Sequence, residues 1–192
     1  MNLPNKLTVL RIFMIPVFVA VFYITNIPYN FLISAVIFAL ASFTDFLDGY
    51  IARKYNLVSD FGKFLDPIAD KVLVSTALII MLVPPTGYVI IPWYSAILVS
   101  LILARELIIS GFRLVASNKG LVISADKSGK LKTFFTDLTI LFILAVANFM
   151  TPTLYVIGTV LLIISTILTV YSGIECIVKN KEVLKEAKWK LR

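Results

Sequence analysis

The sequence predicts an all-α, polytopic membrane protein with six transmembrane helices, and three observations carry that prediction. Hydrophobic residues make up 59% of the 192 positions and charged residues 15%, with a mean hydropathy of +0.95. Soluble domains hold about 45–50% apolar and about 25% charged residues. Three runs, Ile12–Thr44, Val72–Ala104 and Leu138–Ile174, contain no Asp, Glu, Lys or Arg. Each run is broken near its middle by turn formers and therefore reads as two helices joined by a short turn.

Taken in order, the first run breaks at Asn26, Pro28 and Asn30. The second breaks at Pro84, Pro85, Gly87 and Pro92, and the third at Asn148, Pro152 and the neighbouring threonines. Every Lys and Arg lies before or between these runs or in the tail 175–192, and none lies in the three turns. The positive-inside rule then puts the charged ends and both termini in the cytoplasm. Tyr23, Tyr29, Tyr88, Trp93, Tyr94 and Tyr155 gather near the uncharged turns, as an outer aromatic belt does. Short interfacial helices are expected at the termini, where the tail from Lys179 mixes charge with Val183, Leu184 and Trp189. Lys6 and Arg11 precede an apolar stretch as in a signal peptide, but no small-x-small site ends it. The chain reads as a single domain, 1–192, in a membrane whose charged side faces the cytoplasm.

The formal charge of +7 suits either nucleic acid or an anionic lipid surface, and its confinement to one side of the membrane selects lipid. With no histidine and one cysteine, Cys176, a soft-metal site is excluded and any metal must be held by oxygen.

Two full spans need about 40 residues plus a turn, whereas the first two charge-free runs hold about 33 each. The missing turns must come from the charged flanks, so Asp45, Asp48, Asp66, Asp70 and Arg105 belong to the cytoplasmic ends of membrane helices. Charges at that depth need a protein-lined cavity and partners.

Residues 42–71 read SFTDFLDGYIARKYNLVSDFGKFLDPIADK. One helix is expected to end after Arg53 and Lys54, and the next to begin near Ser59 as its cap. Asp45, Asp48, Gly49, Ala52 and Arg53 share one face of the first helix. Gly62, Asp66 and Asp70 share one face of the second, which Pro67 should kink. A single Asp pair reads equally well as a solvated face, and Gly or Ala as close helix packing. Four acids recruited together into membrane helices do not fit those readings. They would repel one another without cations, and a hard ion such as Mg²⁺ or Mn²⁺ is the natural partner. The small residues leave room beside it for something flat, such as a nucleotide.

These residues resemble the motif of the CDP-alcohol phosphatidyltransferase family, D-x2-D-G-x2-A-R-x8-G-x3-D-x3-D. Every fixed position is filled, by Asp45, Asp48, Gly49, Ala52, Arg53, Gly62, Asp66 and Asp70. The resemblance implies a homodimeric enzyme of a bacterial cytoplasmic membrane, its active site facing the cytoplasm, with two divalent metal ions (Mg²⁺ or Mn²⁺) and CMP as leaving product. Asp45, Asp48, Asp66 and Asp70 are its implied metal ligands, and Asp70 its general base. Implied contacts to the nucleotide and diphosphate are Asn5, Thr8, Asp48, Gly49, Ala52, Arg53, Gly62 and Asp66, with Arg11 beside them. For Asn5, Thr8 and Arg11, interfacial capping and anchoring is the other reading.

Within the family, the stretches NLPNKLTVLRIFMIPVF, RELIISGFR and GKLKT resemble the branch that joins CDP-diacylglycerol to sn-glycerol 3-phosphate. A basic cluster agrees with a phosphorylated acceptor: Arg105, Arg113, Lys130 and Lys132, with Lys127 nearby, are more cations than a neutral alcohol needs. Inner-leaflet loops are basic by default, however. Serine, inositol and phosphatidylglycerol stay open as acceptors. An ion-coupled transporter is the rival from another class; its site would sit near the midplane, whereas these acids lie on one side.

Overall fold

The computed structural model describes residues 3–55, 60–85, 87–121, 123 and 127–185, and every regular element among them is helical. Six long helices follow in order: α1 (Leu3–Tyr23), α2 (Asn30–Lys54), α3 (Asp60–Leu82), α4 (Ser95–Asn118), α5 (Lys127–Val146) and α6 (Pro152–Lys179). A 3-10 turn, Ala147–Phe149, follows α5, and a short α7, Glu182–Lys185, follows α6. Among the described residues, five stretches are long and apolar enough to cross a membrane: Asn5–Tyr23, Asn30–Gly49, Ser95–Ser117, Lys127–Phe149 and Pro152–Lys179. The sixth long helix, α3, carries Asp66, Asp70 and Lys71 in its described length and is not among them.

The breaks fall where turn formers stand, and the turns satisfy the helix ends they create. Between α1 and α2, Tyr29 adopts a left-handed φ of 57°, and the Asn30 amide donates to the Phe22 carbonyl at 2.8 Å. Asn148, from the turn between α5 and α6, donates to Asn30 Oδ1 at 3.2 Å and accepts from Leu32 N at 3.1 Å. The first and third hairpins are thus joined at their uncharged ends by two asparagines. Gly87 has φ 90°, a conformation that glycine adopts without strain. Thr151 caps α6 through a bond from Leu154 N, with Pro152 at its first position.

The core runs down the middle of the bundle. Phe18 and Phe22 of α1, Phe31 and Phe38 of α2, Leu73, Leu78 and Met81 of α3, and Ile140 and Leu144 of α5 are wholly buried. Helix α6 lays a stripe of small polar residues (Thr159, Ser165, Thr166, Thr169 and Ser172) against its neighbours, and small residues of this kind permit close approach in lipid. Large apolar side chains such as Phe13, Leu40, Leu107 and Ile167 point outward, as a lipid-facing surface requires.

One expectation is corrected. Among the described residues the N-terminal turn does not form a separate interfacial helix, because Leu3–Tyr23 is one uninterrupted helix. No breaker separates the polar turn from the apolar run. Asn5, Thr8 and Arg11, three residues apart, point inward and are buried, so continuing the helix gives them partners. At the other end α7 is short, and residues 186–192, like the expected cap Ser59, lie outside the described residues. Pro67 lies inside α3 and does not end it.

Candidate active site

The acids of α2 and α3 meet under α1. Arg11 is buried completely and bridges two of them: Nη1 donates to Asp45 Oδ1 at 2.7 Å and Nη2 to Asp48 Oδ2 at 2.6 Å. Its Nε donates to the Ala41 carbonyl at 3.2 Å, which fixes the guanidinium against α2. The Thr8 hydroxyl donates to Asp66 Oδ1 at 2.6 Å and lies 3.5 Å from Asp48 Oδ2. Two residues one turn apart on α1 therefore tie the acids of α2 to those of α3. Asp48 feels the charges of Asp45 and Asp66, and Asp70 those of Asp45 and Arg11. Asp48 is 2% exposed and Asp45 41%, so the cluster opens at its Asp45 edge. Gly62 is buried beside these acids on α3 and Gly49 is half-buried on α2. The side chains of Ala52 and Arg53 lie outside the described part.

Among the described residues no three acids are drawn up as a finished coordination sphere. Arg11 and Thr8 instead engage one oxygen each of Asp45, Asp48 and Asp66. The donor set fits a hard divalent ion nonetheless. It consists of carboxylates from two facing helices, in a chain with no histidine and with its one cysteine on α6.

Beside the acids lies a cavity of about 510 Å³ between α3, α4 and α5, in the size range of small-molecule sites. Asp70 lines it, as do all four residues of the expected basic cluster: Arg105, Arg113, Lys130 and Lys132. Lys71 adds a fifth cation, and Glu106 and Asp137 add two acids. Lys132 is 8% exposed and pairs with Glu106. Arg105 is held from two sides, donating from Nη1 to Glu106 at 3.1 Å and from Nη2 to the Ser172 hydroxyl at 2.6 Å. Lys71 donates to Ser110. Asp137 Oδ1 and Arg105 Nε are buried with no hydrogen-bond partner among the described residues. A cavity with surplus positive charge and a carboxylate at its edge can bind an anion and take a proton from it.

The structure thus brings Asp45, Asp48 and Asp66 together with Thr8 and Arg11, and Asp70 together with the basic residues. Asn5 is buried at 7% exposure on the same face of α1; Lys127 is exposed and does not line the cavity. Sequence reasoning missed Glu106, Asp137 and Lys71. Glu106 stands next to Arg105 at the end of the second charge-free run, so the length argument that flagged Arg105 applies to it equally. Asp137 borders the third run, Leu138–Ile174, which is longer than the first two and falls less short of two spans, so that signal was weaker there.

The family model described as CDP-alcohol phosphatidyltransferase matches residues 1–171. A CDP-diacylglycerol–glycerol-3-phosphate 3-phosphatidyltransferase of Bacillus subtilis is 38% identical over 204 residues, covering 96% of this chain and 97% of the relative. One of the same name from Rickettsia bellii is 44% identical over 174 residues, covering 90% and 91%. A probable phosphatidylglycerophosphate synthase of Mycobacterium tuberculosis is 36% identical over 181 residues, covering 93% and 81%. With the motif filled, its acids gathered under α1 and these matches over most of its length, the chain belongs to the CDP-alcohol phosphatidyltransferase family.

Proposed function

We propose that this chain transfers the phosphatidyl group of CDP-diacylglycerol to sn-glycerol 3-phosphate, releasing phosphatidylglycerol phosphate and CMP. The observation that carries the choice of acceptor is the cavity that places Asp70 alongside Arg105, Arg113, Lys130 and Lys132. A neutral alcohol has no use for that surplus of cations, whereas a phosphomonoester does. The names of the relatives point to the same reaction.

Asp45, Asp48, Asp66 and Asp70 would hold the two divalent ions. When bound, these supply charge neutralisation on the diphosphate and on departing CMP. The chain's own groups do the rest. Thr8 and Arg11 keep the α2 and α3 carboxylates in register. Gly49, Ala52, Arg53, Gly62 and Asn5 form the nucleotide and diphosphate side. Arg105, Arg113, Lys130 and Lys132 orient the acceptor by its phosphate, leaving its hydroxyl toward Asp70. Asp70 takes the hydroxyl proton as the oxygen attacks the lipid-side phosphorus in line. One P–O bond forms, the bond to CMP breaks, and the leaving phosphate oxygen departs as the CMP anion.

The same reading makes α3 a sixth span, its acids facing the site and its apolar end buried in the bundle. Both termini and the site then face the cytoplasm, and the enzyme works as a homodimer built of one domain, 1–192. The test supplies purified protein with CDP-diacylglycerol, Mg²⁺ and, separately, glycerol 3-phosphate, serine, inositol and phosphatidylglycerol, and identifies the lipid product by mass. Phosphatidylglycerol phosphate from the first mixture alone is the expected outcome. A product from any other acceptor at equal rate would overturn the assignment.

A further inference from the structure

We infer that Ser172 and Gly173 of α6 are positioning residues for the acceptor, forming the seat in which Arg105 is held at the edge of the cavity. The inference rests on the acceptor reading above. It concerns residues just beyond the matched 1–171, which the acidic motif does not include.

Arg105 sits at the point where α4 leaves the apolar run, and its side chain lies across α6 rather than extending to water: it is 13% exposed. Two features of α6 make this possible. Gly173 has no side chain, and a Cβ there would stand 2.9 Å from Arg105 Cγ and 3.1 Å from its Nε. The first of those atoms is the stem of the arginine, not its mobile end, so even one methyl group would displace the whole side chain. Ser172, 2% exposed, then accepts from Nη2 at 2.6 Å. Glu106 accepts from Nη1 on the other side. The guanidinium plane is therefore set by one hydroxyl and one carboxylate on different helices, with a glycine gap beneath it. Orientation matters because a guanidinium binds phosphate through a planar fork and loses most of that advantage when turned.

Positioning predicts a specific kinetic pattern. The purified chain in lipid nanodiscs, with CDP-diacylglycerol and Mg²⁺, is assayed over a range of glycerol 3-phosphate for wild type, Ser172→Ala, Gly173→Ala, Arg105→Ala and the two doubles with Arg105→Ala. Ser172→Ala removes one net hydrogen bond and should raise the acceptor KM roughly three- to tenfold. Gly173→Ala should raise it about tenfold or more, since it moves the fork that contributes about ten- to a hundredfold. The KM for CDP-diacylglycerol should not move, and most of the loss should be recovered at saturating acceptor. In the Arg105→Ala background neither substitution should add to the acceptor KM, because the group they position is gone.

Effects that multiply fully in that background, or an unchanged acceptor KM in both single variants, would overturn the inference while leaving the acceptor reading intact. An unchanged acceptor KM in Arg105→Ala itself would overturn the acceptor reading and the inference with it. If Gly173→Ala does not accumulate as folded protein, Ser172→Ala and its double decide by the same criteria.

Discussion

Arg11→Leu removes the only cation that the described residues show bonded to Asp45 and Asp48, and the size of its effect follows from burial. The Arg11–Asp48 pair is enclosed, with side-chain exposures of 0% and 2%. Breaking such a pair costs about 3–5 kcal/mol, because a buried carboxylate is left uncompensated. Asp45 is 41% exposed and can be solvated, so its share is at most about 1 kcal/mol. In EDTA, at pH 7, Arg11→Leu should therefore lose about 3–5 kcal/mol. That corresponds to a fall of roughly 6–20 °C in apparent Tm for a chain of this size, read by thermal unfolding in detergent. A divalent ion among the carboxylates supplies the missing charge, so saturating Mg²⁺ should rescue part of the loss in the variant and raise its Tm more than that of the wild type. The double variant Arg11→Leu/Asp48→Leu should regain stability relative to the single, since it removes both halves of the pair. A loss in EDTA below about 1 kcal/mol would refute the role of Arg11 as counter-ion. An equal effect of Mg²⁺ on both proteins would show that it and the ion do not share these carboxylates.

Three further outcomes are expected. Asp66→Asn should abolish CMP release while the protein stays folded and membrane-inserted, and EDTA should silence the wild type until Mg²⁺ or Mn²⁺ is restored; full turnover in metal-free buffer would contradict the carboxylate-bound ions. Asp70→Asn should cut turnover severely yet largely preserve binding of CDP-diacylglycerol, because the residue borders the acceptor cavity. Loss of binding and turnover in equal measure would make it chiefly a ligand. Single cysteines at Pro28, Gly87 or Thr151 in a Cys176→Ser background should react with an impermeant thiol reagent outside intact cells, and those at Lys119 or Lys181 should not. The reverse labelling would put the site on the wrong face.

The helices and their ends were legible in the sequence because both signals are local. Charge-free runs interrupted by Pro, Gly and Asn mark where a chain in lipid must turn, and the observed breaks at 24–29, 83–94 and 147–151 fall at those residues. The four aspartates were legible for a related reason. Spacing along one helix face is written in the sequence, so Asp45 pairs with Asp48 on α2 and Asp66 with Asp70 on α3 before any fold is known. What surrounds those aspartates was not legible. Arg11 lies more than thirty positions from Asp45 and Ser172 lies 67 from Arg105. No period along one helix says which face of α1 meets α2, or that α6 passes behind α4.

The sequence by itself therefore determined an all-helical membrane chain, where it turns, and which acids share a face, since composition and helical period decide these. Only the tertiary structure decided that α1 threads a cation and a hydroxyl between the carboxylates and that α3, α4 and α5 enclose a cationic cavity next to Asp70. It also decided that a glycine on α6 makes room for the arginine at that cavity's edge. These depend on which helices pack together, and packing is set by the fit of whole surfaces that no single stretch of sequence contains.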